Sequence, residues 1–111
     1  MPDPTVPEDV LDRLEATIRA RRGADAGTSY VASLFAKGRG KIAQKVGEEA
    51  VETVIAACGP DPRAIVPEAA DLLFHLAVLL ADAGLSLDDV RGELARREGL
   101  SGHDEKAARH S

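Results

Sequence analysis

An all-α fold, a bundle of four to five helices, follows from three features of this sequence. Aromatic residues are 3% of the 111 positions, so Ala and Leu carry the apolar bulk, which favours packed helices over a sandwich or barrel. Apolar residues recur at three- and four-residue spacing, and no stretch alternates apolar and polar residues as a half-buried strand would. Gly and Pro fall between the periodic segments, where helices stop and start. At 44% hydrophobic and 30% charged, the chain suits one domain with its own core.

Residues 1–7 read as a loose lead-in, residues 8–99 as the single domain, and residues 100–111 as a polar tail. Thr5 followed by Glu8 forms a capping-box pattern ahead of a first helix carrying Val10, Leu11, Leu14 and Ile18, closed by Arg21, Arg22 and Gly23. After a linker over 23–27, Ser29 can cap a short second helix that Gly38 ends. A third helix runs over about 39–58, until Gly59-Pro60 breaks it. Asp61-Pro62 opens a turn over 63–66, and Pro67, unfavourable inside a helix, starts a long fourth helix that Gly84 closes. Ser86 with Asp89 caps a last helix reaching about Arg97, before Gly99.

Several function classes drop out early. A net charge of −5 opposes nucleic-acid binding through bulk positive charge. The apolar stretch over 72–81 is short for a bilayer and no export signal opens the chain, so no membrane partner is expected. Cys58 stands alone, which fits a reducing cytoplasm and a small core residue.

The informative residues lie on helices three and four. With Glu48 set to zero and about 100° per residue, Lys41, Glu52, Lys45 and Glu49 fall at about 20°, 40°, 60° and 100°. Ile42, Val46, Ala50, Val54 and Ala57 form the adjoining core stripe. Taken alone, the acidic stripe reads as a solvated face with Lys45 pairing Glu49 at i,i+4. Helix four changes that reading, because Asp71 and His75 interrupt an otherwise apolar run from Ala69 to Ala81. Glu68, Asp71 and His75 share an arc of about 60°. A favourable dipole at the helix start accounts for Glu68 but not for Asp71.

Ionised carboxylates in apolar surroundings need a positive partner. Glu49-x-x-Glu52 and Glu68-x-x-Asp71 offer four oxygen ligands, a set suited to Mg²⁺, with Mn²⁺ as substitute. Magnesium on carboxylates keeps positions open for phosphates, which points to a metal-dependent phosphohydrolase. A di-iron bundle would want Glu-x-x-His on two helices, and neither pair exists here. An acidic helical binding module is the non-enzyme alternative, but docking gives no reason to place Asp71 and His75 in an apolar helix. Lys37, Arg39, Lys41 and Lys45, spaced around Gly38 and Gly40, form a plausible polyphosphate clamp beside the acids.

At this point the residues resemble a known family. Ser29-Tyr30-Val31 through Leu34, Gly38, Lys41-Ile42, Lys45-Val46-Gly47-Glu48-Glu49-Ala50 and Glu52 are similar to phosphoribosyl-ATP pyrophosphatases. The likeness continues through Glu68-Ala-Ala-Asp71-Leu-Leu-Phe-His75, Val78-Leu79-Leu80, Leu94 and Arg97, although Phe74 stands where the family commonly has Tyr. The acidic motif alone specifies only the wider superfamily of MazG-like nucleotide pyrophosphohydrolases.

The resemblance implies a MazG-like bundle completed by oligomerisation, as a homodimer or larger homo-oligomer. It implies Mg²⁺-dependent hydrolysis of phosphoribosyl-ATP to phosphoribosyl-AMP and pyrophosphate, the second step of histidine biosynthesis. The alternative within the same class is a general nucleoside triphosphate pyrophosphohydrolase. Carried over, Glu49, Glu52, Glu68 and Asp71 are metal ligands, Glu48 is the extra acid beside them, and Lys41 and Lys45 are basic positions near the phosphates. Either Glu48 or Glu49 could serve as catalytic base, since both face Glu52. His75 is either a support for Asp71 or a buried neutral ring bonded to a neighbouring helix. Arg97 reaches a phosphate or forms a surface ion pair, and Tyr30 either stacks on a base or, the favoured reading, packs in the core.

Overall fold

The computed structural model describes residues 9–100 and Arg109. Among residues 9–100 five α-helices appear in the expected order: α1 (Val10–Ala20), α2 (Tyr30–Lys37), α3 (Arg39–Ala57), α4 (Ile65–Asp82) and α5 (Leu87–Arg96). No strand occurs among the described residues. The lead-in, the Thr5–Glu8 capping pattern and nearly all of the polar tail lie outside them. Asp9 occupies the N-cap position of α1 without a side-chain cap bond.

The local signals act as their chemistry requires. Ser29 caps α2 by accepting from the Ala32 N–H at 3.2 Å. Gly38 separates α2 from α3 with φ +90° and ψ 169°, a backbone region open essentially to glycine alone. Ser86 and Asp89 form a reciprocal capping box, and Glu15 on α1 adds an acceptor for the Leu87 N–H at 2.7 Å. Arg91 completes the α1–α5 tie, reaching Asp12 at 2.9 Å and Asp9 at 3.5 Å.

Three expectations need correction. Pro67 lies inside the first turn of α4, which begins at Ile65 after a single 3₁₀ turn, Pro62–Ala64. At that depth the missing N–H would have had no helical acceptor, so the ring costs no hydrogen bond. The core stripe of α3 covers less than its periodicity suggests: Ile42 is buried, Val46 and Ala50 are half-buried, and Val54 is 61% exposed. Cys58, expected inside, is exposed at the end of α3. Both departures share one cause, since nothing among the described residues packs over the outer side of the C-terminal half of α3.

Helix α4 is the central element and contacts α1, α2 and α3. Its Ala77, Val78 and Ala81 close the core with Ile18, Val31, Leu34 and Ile42. Each fully buried large side chain, Ile18, Leu34, Ile42 and Val78, contributes about 1.5–3 kcal/mol through removal from water. The 21-residue run Pro62–Asp82 is long and apolar enough to cross a membrane by length and composition, more than the stretch over 72–81 suggests. Two of its polar side chains, His75 and Asp82, are engaged within the bundle instead. Asp82, at the unfavourable end of the helix dipole, receives the Arg39 guanidinium at 2.9 Å and lies 3.8 Å from Arg22. Arg22 also donates to the Ala81 carbonyl at 2.8 Å and covers the Phe35 ring at 4.7 Å.

Gly38 sets the angle between the two helices that carry Lys37 and Lys41. Gly38→Ala is therefore expected to lower stability by roughly 1–3 kcal/mol through forced positive φ, read as a fall in Tm on thermal unfolding. An unchanged Tm would show that the α2–α3 junction relaxes freely.

Candidate active site

The packing of α3 on α4 brings together carboxylates that lie far apart in sequence. Oxygens of Glu49 on α3 and of Glu68 and Asp71 on α4 all lie within 4.8 Å of one another. Such a set of hard donors can close around a small divalent cation with minor side-chain movement. Glu49 and Glu68 are half-buried and Asp71 is exposed, so the cluster opens to solvent on one side. The Glu68 carboxyl is pushed above its ordinary range, first by desolvation and then by the negative charges of Glu52, Asp71 and Glu49. Glu52 thus belongs to the same electrostatic site while lying outside the tightest group.

Beside the acids opens a cleft of about 440 Å³. Lys37, Lys41 and Lys45 line it with Tyr30, Gln44 and Glu48. Lys45 connects the two regions, since its ammonium lies 3.6 Å from Glu49 as the i,i+4 spacing suggested. Lys41 donates to Gln44 Oε1 at 3.3 Å. A cationic cleft running into a carboxylate cluster is what a polyphosphate bridged to a cation requires.

The structure separates the two glutamates that spacing left equivalent. Glu49 turns toward α4 and joins Glu68 and Asp71, whereas Glu48 faces the lysine cleft and an adjoining groove that Gly47, Val51 and Glu52 also line. Arg39 is not brought to the cleft, because Asp82 binds its side chain at the far end of α4. Arg97 sits just beyond α5 and lies 3.6 Å from Glu93, as a surface ion pair would have it. The Glu93 carboxyl is held below its ordinary range, first by its hydrogen bonds from Arg96.

His75 is buried and bonded to a neighbouring helix, with Nε2 lying 2.8 Å from the Tyr30 hydroxyl. Its Nδ1 meets the backbone carbonyl of Asp71 at 2.7 Å, not the carboxylate. Tyr30, assigned to the core from sequence, is 51% exposed and stands at the cleft wall, stacked on Phe74 at 6.1 Å. Gln44 was missed as well. It precedes Glu48 by four residues and so borders the acidic stripe, a position the helical wheel could have supplied.

Comparison with known proteins gives the family. The family model for phosphoribosyl-ATP pyrophosphohydrolase matches residues 11–98. The chain belongs to this family. It is 70% identical over 99 residues to the phosphoribosyl-ATP pyrophosphatase of Rhizorhabdus wittichii, covering 89% of this chain and 93% of that protein. Proteins of the same name from Zymomonas mobilis and Sphingopyxis alaskensis are 61% and 62% identical over 102 residues. Those matches cover 92% and 91% of this chain and 95% and 94% of the relatives. All of α2 to α5 and all of α1 but Val10, with both halves of the carboxylate cluster, thus fall inside the family match.

The raised Glu68 has a consequence for stability. A carboxyl whose native pKa exceeds its unfolded value contributes stability when protonated, and that contribution is lost as pH rises through the native pKa. Glu68→Gln is therefore expected to raise the Tm of chelator-treated protein at about pH 8, with the difference vanishing below about pH 4. Added divalent cation should reverse the order at pH 8, stabilising the wild type more than the variant. Identical melting curves at both pH values would contradict this electrostatic account.

Proposed function

We infer that this chain hydrolyses phosphoribosyl-ATP to phosphoribosyl-AMP and pyrophosphate, the second step of histidine biosynthesis, in the cytoplasm. The observation that carries the reading is the convergence of Glu49, Glu68 and Asp71 beside a lysine-lined cleft in a chain of this family.

Glu49, Glu68 and Asp71, with Glu52 adjoining, would hold Mg²⁺ or, in its place, Mn²⁺. A bound divalent ion supplies neutralisation of charge on phosphate oxygens. Lys41 and Lys45, with Lys37 at the cleft's other wall, bind the triphosphate and offset the charge that builds up as the anhydride breaks. Glu48 is free of the tight carboxylate group and faces the cleft, so it is the residue suited to take the proton of the attacking water. Water adds to phosphorus, its proton passes to the Glu48 carboxylate, and the bond between the α- and β-phosphates breaks with release of pyrophosphate.

The same two helices leave apolar surface open. Val51 and Ile55 on α3 are 56% and 60% exposed, and Val66 on α4 is 56% exposed. Only 22% of the long apolar helix is buried within one chain. A homodimer or larger homo-oligomer would cover these side chains and place a second copy beside each carboxylate cluster.

Purified protein with Mg²⁺ should release pyrophosphate from phosphoribosyl-ATP and not from ATP or dUTP, and chelation should abolish the release. Glu49→Gln should lower turnover by about 10²-fold or more while leaving the Tm of chelated protein within a few degrees. Release from ordinary nucleotides would favour a general nucleotide pyrophosphohydrolase, and no release from any of the three would favour a binding module. Light scattering behind a sizing column is expected to give at least twice the chain mass at micromolar concentration, and a monomer would contradict the assembly.

A further inference from the structure

Tyr30, His75 and Asp71 form a hydrogen-bond chain whose direction, for a neutral His75 ring, follows from its Asp71 end. The Asp71 backbone carbonyl can only accept, so the His75 Nδ1 at 2.7 Å carries a proton. In the neutral imidazole Nε2 is then an acceptor, and the Tyr30 hydroxyl at 2.8 Å donates to it. The ring is held in place: it is 5% exposed and meets Tyr30 and Phe74 edge-on at 5.8 and 5.1 Å. Tyr30 has one hydroxyl proton, and it points inward. What its oxygen offers the cleft is lone pairs alone.

The other polar groups of that cleft wall are of opposite type. Lys37, Lys41 and Lys45 are donors without acceptor capacity and take phosphate oxygens. A phosphate oxygen at Tyr30 would meet lone pairs and be repelled. We propose that Tyr30 is a specificity residue that accepts from a neutral donor of the nucleotide, a ribosyl hydroxyl or a base N–H, and that His75 is the positioning residue that keeps it acceptor-only. The cleft is thereby polarised along its length, with phosphates toward the lysines and Glu49 and the glycosyl portion toward Tyr30. The assignment rests on the cleft being the nucleotide site.

Tyr30 is the chain's one tyrosine and there is no tryptophan, so its emission reports the contact directly. Phosphoribosyl-AMP is expected to change that emission, and pyrophosphate is not. Tyr30→Phe should raise KM for phosphoribosyl-ATP about tenfold with kcat within about twofold, and should leave inhibition by pyrophosphate unchanged. With a deoxyribosyl analogue, loss of the wild-type advantage over Tyr30→Phe assigns the contact to the missing hydroxyl, and its persistence assigns it to another donor, both in keeping with the proposal. His75→Gln, which offers an amide oxygen as replacement acceptor, should keep KM within about threefold, whereas His75→Leu should reproduce the Tyr30→Phe penalty. An unchanged KM in Tyr30→Phe, or a matching loss of pyrophosphate inhibition, overturns the assignment of Tyr30. Equal penalties in the two His75 variants overturn the role of His75. Failure of the underlying site reading shows differently, as Glu49→Gln retaining full turnover.

Discussion

Three carboxylates held within 4.8 Å of one another are the constraint around which this bundle is arranged. Like charges at that distance repel, and the Glu68 carboxyl is pushed above its ordinary range first by desolvation and then by that repulsion. The contact between α3 and α4 keeps them together, and that contact depends on Ile42 and Val78 being wholly removed from water. Apolar packing at one end of the helix pair thus carries an electrostatic cost at the other. Proteins place such costs at sites where a ligand relieves them, and here a divalent cation is the chemistry that would.

The supporting interactions keep that helix pair in register. Arg22 and Arg39 grip the C-terminal end of α4 through Asp82 and the Ala81 carbonyl, fixing α4 relative to α2 and the start of α3. Arg91 and Glu15 bind α5 to α1, leaving the cleft between α2 and α3 clear of side chains from the last helix. Gly38 breaks the helical path between α2 and α3 within a single residue, and Lys37 and Lys41 face one cleft from two helices. Basic residues of similar sequence neighbourhood therefore divide by task. Lys37, Lys41 and Lys45 stay at the cleft, and Arg39 becomes part of the frame.

Most helix boundaries were legible because they rest on local chemistry. Ser29, Gly38, Ser86 and Asp89 act within three residues of themselves, so their pattern carries the same meaning in any fold. The acidic pairs at i,i+3 were legible for the same reason, since one helix turn brings both members to one side. Pro67 was misjudged because its effect depends on depth in the helix, and that depth was set by the preceding 3₁₀ turn. For Tyr30 the favoured core reading failed, because an aromatic at a helical apolar position looks the same whether it packs inward or stands at a cleft wall.

What the sequence by itself determined is therefore the helical class, most ends of the helices, the family, and that each of α3 and α4 carries an acidic pair on one side, because periodicity and capping act over a few residues. What only the tertiary structure decided is which of these side chains meet. The split between Glu48 and Glu49, the capture of Arg39 by Asp82 and the bond between Tyr30 and His75 depend on how helices cross. A helical wheel gives the direction of a side chain about its own axis. Contacts over 43 and 45 residues of sequence are set by the packing of one helix on another, which no local pattern encodes.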